Sequence, residues 1–364
     1  MGQPVDETSD VAPPDDDERL GEAIEDYLGL AERGEAPPAE EFAARYGDIE
    51  ADVRAALEGL ELVHGLVGGA SGSSGGVGPG RNLESGRRIA GYRIVRELGR
   101  GGMGVVYLAH NTIMGRDEVL KVMGAHIMER PGIFDRFQRE IRAVARLHHK
   151  NIVTAYSAFR LGGGLVFAME YVEGMDLARL IKVKGPLPVV HAAYFAQQAA
   201  RGLQHAHERG MVHRDIKPHN LMLTHDGDLR VVKILDFGLA KATREGHVDA
   251  ALTQSGQALG TPDYIAPEQI LNAPDVDVRA DVYSLGCTLY FFLTGRAPFR
   301  GNSLYDLYQA HMSREADPLN RIRPDVPSGL AALASKMIAK DPADRFQTPA
   351  EVADALAPFL KKAA

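Results

Sequence analysis

His213-Arg214-Asp215-Ile216-Lys217-Pro218-His219-Asn220, followed by Asp236-Phe237-Gly238, decides how the rest of the chain is read. The run sets a proton acceptor, an ammonium, an amide and a carboxylate in an order that phosphoryl transfer uses. Asp215 can orient an attacking hydroxyl and accept its proton. Lys217 can neutralise charge on the moving phosphoryl group, and Asn220 with Asp236 can hold magnesium. Taken alone, Asp-Phe-Gly is a common accident, and an isolated His-Arg-Asp is more often a salt-bridged turn. Order and spacing together carry the reading.

The phosphate machinery lies upstream. Residues 92–98 (Tyr-Arg-Ile-Val-Arg-Glu-Leu) read as a strand running into Gly99-Arg100-Gly101-Gly102-Met103-Gly104, and Val105-Val106-Tyr107-Leu108 return as a second strand. Glycines at 99, 101 and 104 let backbone amides approach phosphates closely, because no Cβ blocks the approach. A dinucleotide-binding loop uses similar glycines, but it opens a helix and is followed by an acidic residue about 20 positions on. Here a strand follows, and the charged residue at that distance is Lys121, so the dinucleotide reading fails twice. Lys121 sits in the apolar run Val119-Leu120-Lys121-Val122, where an ammonium needs anions nearby. Phosphates supply some. Glu140 supplies another, carried by an amphipathic helix expected over 134–147 with Phe137, Ile141, Val144 and Leu147 at helical spacing.

With these motifs in place the chain resembles the eukaryotic-like protein kinases, in particular bacterial serine/threonine kinases of the Hanks type. The resemblance runs from about residue 90 to the C-terminus and takes in Gly260-Thr261-Pro262, Ala266-Pro267-Glu268, Asp281-Val282-Tyr283 and Asp341-Pro342-Ala343-Asp344-Arg345. It implies an α+β, two-lobed protein kinase fold: a small antiparallel sheet with one helix, a larger and mainly helical lobe, and ATP between them. By resemblance, Met169 is the gatekeeper, backbone groups of Glu170 and Val172 meet the adenine base, and Asp176 takes the ribose. Leu98, Val106, Val119 and Met222 would sandwich the base, with Gly99, Gly101 and Gly104 over the phosphates. Glu268 and Arg345 would form a buried ion pair, Asp281 would tie down the catalytic loop, and Thr261 would bond the catalytic aspartate and lysine. Arg214, beside that aspartate, would await a phosphorylated loop residue. Thr253 and Ser255 are the expected autophosphorylation sites, ahead of Thr243. Lys217 follows the serine/threonine pattern, so protein substrates bearing those hydroxyls are expected.

One position departs from the family pattern. Val119 stands where alanine is usual, two residues before the lysine, and its extra methyl groups either tighten the adenine pocket or crowd it. Because Lys121, Glu140, Asp215, Asn220 and Asp236 are all present, the expectation is an active enzyme. A non-catalytic scaffold and a kinase for a small hydroxyl metabolite are the alternatives.

Composition agrees with an intracellular enzyme of 364 residues, 45% hydrophobic and 25% charged, with a single cysteine, Cys287, expected in the core. No apolar run has the length of a membrane span, and a cytoplasmic location is expected. The acidic balance argues against nucleic acid. His205 and His207 do not read as a metal site, since residues two apart on a helix diverge and a third ligand is lacking.

The N-terminal part is different material. Residues 1–18 are rich in proline and acid and read as a disordered tail. Residues 19–67 read as a small helical extension, with apolar positions Leu20, Ile24, Tyr27, Leu28 and Ala31 followed by Phe42, Tyr46, Ile49, Val53, Leu57, Leu60 and Val63, and a break near Gly47-Asp48. Residues 68–85 are a Gly/Ser-rich linker, and 90–362 the catalytic domain. Net charge is about −15 over residues 1–67 and about +7 over the remainder. The two parts should attract at low salt, as an autoinhibitory or partner-docking module would; a solubilising arm is the competing reading. Self-association for autophosphorylation is a further expectation.

Overall fold

A computed structural model describes residues 19, 20, 22–24, 26, 27, 30, 37–54, 57, 85–101, 104–123, 133–161, 164–227, 229–237, 262–271 and 276–360. The chain divides into two compact units, one comprising residues through 126 together with 159–166, the other residues 127–158 and 167–364.

In the first unit, β2 (Tyr92–Gly101) pairs antiparallel with β1 (Arg88–Ile89) on one side and β3 (Gly104–Asn111) on the other, and β3 pairs with β4 (Arg116–Met123). The sheet order is β1-β2-β3-β4-β6-β5, where β5 is Ala155–Leu161 and β6 is Gly164–Glu170; residues 159–161 and 164–166 of these two strands fall in this unit. Irregularities in β2 fall between Ile94 and Arg96 and between Glu97 and Gly99. The second leaves Leu98 as the extra, unpaired residue, with 37% of its surface exposed. Gly104 has φ +139°, and a Cβ there would lie 2.0 Å from the Val122 carbonyl oxygen, so only glycine fits this hairpin end.

The N-terminal helical residues belong to the same unit. Residues 19, 20, 22–24, 26, 27 and 30 are helical; α1 (Ala39–Ala43) continues through a 3₁₀ stretch to Ile49 and on into helical residues 50–54 and 57. The chain kinks at Tyr46 and Gly47, whose dihedrals leave the helical region. Ala23, Tyr27, Phe42, Ala43, Ile49, Val53 and Leu57 are buried, with the Tyr27 and Phe42 rings edge to face at 5.0 Å. The Tyr27 hydroxyl donates to the Pro37 carbonyl at 3.1 Å. Leu28, Ala31, Leu60 and Val63 lie outside the described residues, as does the linker up to residue 84.

The second unit is mainly helical: α2 (Ile133–Val144), α3 (Leu177–Lys184), α4 (Val189–His207), α5 (Pro267–Ile270), α6 (Val278–Thr294), α7 (Leu304–Ser313), α8 (Leu319–Ile322), α9 (Ser328–Met337) and α10 (Pro349–Leu356). Helix α6 is buried almost all round, Cys287 included, and packs against α4, α8, α9 and α10. Asp277 caps its N-terminus and Gly295, in the left-handed region, ends it. Helix α2 stops three residues short of the span expected from its apolar spacing. Arg146 and Leu147 turn into tighter i to i−3 bonds, so Leu147 is buried from beyond the helix. A three-stranded sheet, β7 (Met175–Asp176), β8 (Leu221–Asp226) and β9 (Leu229–Ile234), completes the unit. Among the described residues no helix is long and apolar enough to cross a membrane.

Candidate active site

Helix α6 holds the loop that begins at His213. The Asp281 carboxylate, on its first turn and 1% exposed, accepts from the backbone amides of His213 at 2.7 Å and Arg214 at 2.8 Å. Burial raises its pKa while the two amides favour the charged form. Arg214 is held at φ +66°, a conformation that costs a non-glycine residue free energy and persists only when its surroundings impose it. Gln269 imposes it further, donating from Nε2 to the Arg214 carbonyl, while an Arg214 Nη2 reaches Val276 O at 3.2 Å.

The histidine passes this anchorage on. His213 Nδ1 accepts from the Asp215 amide, which makes Nε2 the protonated nitrogen, and Nε2 donates to Leu235 O at 2.8 Å. Phe237 is buried edge-on against the imidazole at 4.6 Å. The Leu235 amide in turn donates to Asn220 O. Asp236 thus follows directly on a residue pinned at both its polar groups, and it too is left-handed, φ +57°.

Lys217 and Asn220 converge on Asp215. Lys217 Nζ lies 2.8 Å from its Oδ2, and Asn220 Nδ2 donates both to Asp215 O at 2.8 Å and to Oδ2 at 3.1 Å. Pro218–Asn220 form a 3₁₀ turn that brings residues 215 and 220 together. Asp215 keeps 30% side-chain exposure, so a hydroxyl can reach it. With Nδ2 committed, Oδ1 of Asn220 is the atom able to take a cation. Among the described residues no cluster of three or more His, Cys, Asp or Glu could hold a metal alone. One amide oxygen and one carboxylate, completed by phosphate oxygens, is a donor set that suits magnesium.

The residues of this unit expected at the base are also placed. Met169 is buried and lines a small apolar pocket with Val144, Val153, Phe167, Ile234 and Asp236. The Glu170 amide already donates to Thr154 O, which leaves its carbonyl as the group open to a base. Its carboxylate accepts from Lys233 Nζ at 2.7 Å and from the Thr154 amide, contacts the sequence did not suggest. Val172 is buried. Asp176 caps α3, accepting from the Arg179 amide through Oδ1, and pairs in register with Met222. Glu140 is half-buried on α2.

In the first unit, Lys121 is 8% exposed on β4, opposite Val106, and Val119 is opposite Leu108. Gly99 pairs with Val106 and Gly101 with Gly104. The neighbour of Val119, Glu118, is fully buried; its oxygens take the Tyr92 hydroxyl at 2.9 Å, Asn111 Nδ2 at 3.3 Å and Arg116 Nε at 2.8 Å. Alternation along a strand puts that network on the face opposite Lys121.

The expected Glu268–Arg345 ion pair is formed. Arg345, 2% exposed, gives Nη1 to Glu268 Oε1 at 2.7 Å and Nη2 to Oε2 at 2.9 Å. Its remaining hydrogens go to the carbonyls of Ala339, Arg279 and Lys340, so all five donors are used. Thr243, Thr253, Ser255 and Thr261 lie outside the described residues.

This fold, with an aspartate, a lysine and an asparagine gathered on one loop anchored to a buried helix, is that of the protein kinase class. Residues 92–356 match the protein kinase domain, and the chain belongs to that family. Among curated relatives it is 37% identical over 265 residues to serine/threonine-protein kinase PknB of Mycolicibacterium smegmatis, covering 72% of this chain and 41% of the relative. It is 36% identical over 264 residues to serine/threonine-protein kinase PrkC of Bacillus subtilis, covering 72% and 40%. The chain thus spans about two-fifths of the length of these relatives. The crystal structure of the Mycobacterium tuberculosis PknI kinase domain is similar at a TM-score of 0.61 and 33% identity, covering 76% of this chain and all of that one.

Proposed function

We propose that the chain is a magnesium-dependent serine/threonine protein kinase that transfers the γ-phosphoryl group of ATP to protein hydroxyls and serves intracellular, cytoplasmic signalling. The observation that carries this reading is the convergence of Lys217 and Asn220 on Asp215, at 2.8 and 3.1 Å from one carboxylate oxygen. Asp215 accepts a hydrogen bond from the substrate hydroxyl and then its proton as the oxygen attacks phosphorus. Lys217, fixed by Asp215, offsets charge on the transferring group. Asn220 and Asp236 would hold magnesium, which would supply charge neutralisation at the phosphate oxygens. Lys121 neutralises phosphate charge and Glu140 is its intended partner. The glycines at 99, 101 and 104 present amides to the phosphates. Leu98, Val106, Val119, Met169 and Met222 hold the base, Glu170 O and Val172 meet its edge, and Asp176 keeps one carboxylate oxygen for the ribose. Positioning and charge neutralisation suffice, so no covalent enzyme intermediate forms.

Regulation follows from Arg214, whose guanidinium meets phosphate on Thr253 or Ser255, transferred by a second copy during transient self-association. Residues 19–67 serve as a docking module preceding a linker over 68–85, with the catalytic domain over 90–362.

The test is autophosphorylation with labelled ATP and magnesium, beside Asp215→Asn, with sites located by mass spectrometry. Incorporation at Thr253 or Ser255 is expected to fall about 10²–10⁴-fold in the variant. Equal incorporation in both proteins would remove Asp215 from the chemistry. ATP binding without incorporation into any protein would favour a scaffold.

A further inference from the structure

Helix α4 carries Arg201, His205 and Arg209 at i, i+4 and i+8, a single stripe reaching just past the helix end. His148, His149 and Lys150, between α2 and β5, come up beside it. The rings of His149 and His205 stack at 5.0 Å with planes 29° apart, and Lys150, Arg201 and Arg209 all act electrostatically on His149. His148, Glu208 and Arg209 act on His205. His149 Nδ1 accepts from the Asn151 amide, which fixes this loop, whereas Nε2 of His205 is buried with no hydrogen-bond partner.

The charges do not balance. Glu208 is the carboxylate among these groups, 3.8 Å from Arg209, and one of its oxygens is already taken by Gln204 Nε2. Among the described residues neither Arg201 nor Lys150 has a carboxylate partner, and both are exposed. Burial and the neighbouring cations lower the pKa of both imidazoles, so near neutral pH the standing charge comes from Lys150, Arg201 and Arg209, and acidification adds to it. A local cluster of this sign and density selects an anion of several charges. The same chain supplies one, because residues 1–18 contain seven Asp or Glu and no Lys or Arg.

We propose that Lys150, Arg201 and Arg209, with the stacked histidines between them, form the docking surface for the acidic N-terminal segment, residues 1–18, of this chain. This gives the proposed docking role of the N-terminal part a defined surface.

Carbodiimide joins a lysine amine to a carboxylate in direct contact, which makes Lys150 a built-in reporter in the full-length chain. Peptide mapping after such treatment is expected to join Lys150 to Asp or Glu within residues 6–18. The yield should fall several-fold between roughly 0.05 M and 0.5 M salt, as exposed charges are screened. It should fall again when Arg201→Glu and Arg209→Glu are combined, and in the unaltered chain when excess free peptide of residues 1–18 competes. Dilution tells docking within one chain from docking between two copies, and either supports the surface. Joining of residues 6–18 only to other lysines, or none at a Lys150 that an acetylating reagent still reaches, overturns the proposal and leaves the stripe to an acidic partner or to water. No phosphoryl transfer enters this readout, so its failure is separable from failure of the proposed activity.

Discussion

Two ion pairs in this protein share nearly the same geometry and differ in almost everything else. Arg345 meets Glu268 through two parallel hydrogen bonds at 2.7 and 2.9 Å, and Arg19 meets Asp48 through two at 2.6 and 2.8 Å. The Arg345 side chain is wholly buried and Glu268 is 15% exposed; Arg19 and Asp48 are 33% and 64% exposed. Water competes for the second pair and salt screens it, so its fork-like geometry contributes little. The first pair has lost its water and depends on every donor finding an acceptor. Bond length alone therefore says nothing about which pair the fold depends on. Burial and the surrounding carbonyls decide it.

The contrast is broken most directly at Arg345. Replacing it with methionine leaves the Glu268 carboxylate without its partner and removes donors from the carbonyls of Ala339, Arg279 and Lys340. Its stack over the Tyr283 ring, at 4.8 Å, is lost as well. Arg345→Met is expected to destabilise the chain by about 3–5 kcal/mol in urea unfolding. Adding Glu268→Met should recover only part of that, because three carbonyls remain short of a donor. Full recovery by the double change would mean that the ion pair alone matters and that the carbonyl network contributes nothing.

What could be read from sequence, and what could not, divides along the same line. The run from His213 to Asn220 is legible because its geometry is local: Asp215, Lys217 and Asn220 lie within six residues, and one 3₁₀ turn brings them together. The glycine hairpin is legible because Gly104 faces a steric demand that no other residue meets. The buried carboxylate of Glu118 was not legible, since its acceptability depends on Tyr92, 26 residues away. Neither was Asn151, whose amide donates to Gln198 and to Val232 O across 47 and 81 residues. Periodicity sees which face is apolar; it does not see which distant donor makes a polar group tolerable there. The end of α2 was overrun for a related reason, because Leu147 is buried by tertiary packing after the helix has stopped.

A smaller effect sharpens the buried side of the comparison. Beneath Arg345, the Tyr283 hydroxyl lies 2.9 Å from His311 Nδ1, and burial, aided by the Lys340 charge, brings the His311 pKa down from 6.5 to about 3. The unfolded chain binds a proton at this residue below about pH 6.5 and the folded chain does not. The contribution of a neutral His311 is therefore fully present above that pH and is lost as pH falls toward 3. The slope approaches about 1.4 kcal/mol per pH unit from this group. His149, His191 and His205 are shifted in the same direction and add to it. In His311→Gln the decline of stability between pH 7.5 and 5 should be shallower than in the unaltered protein. Parallel declines would show that the titration lies elsewhere.

The smallest effect belongs to the exposed pair. Hydrogen bonds from Arg19 hold the Asp48 carboxyl at about 2, so the pairing is present above the ordinary aspartate range and is lost only as pH falls through that value. Protonation at such acidity does little at neutral pH, and Asp48→Asn should leave the midpoint of global unfolding unchanged within measurement. What Asp48 can change is local. It ties the first described helical residues to the bend that follows α1, while the buried rings of Tyr27 and Phe42 meet edge to face at 5.0 Å. Hydrogen exchange is the discriminating measurement. Faster exchange confined to residues 19–30 in Asp48→Asn would mark the pair as a latch on one helix end, whereas faster exchange through 37–57 would show that an exposed pair supports a whole helical unit whose apolar core is too small to stand without it.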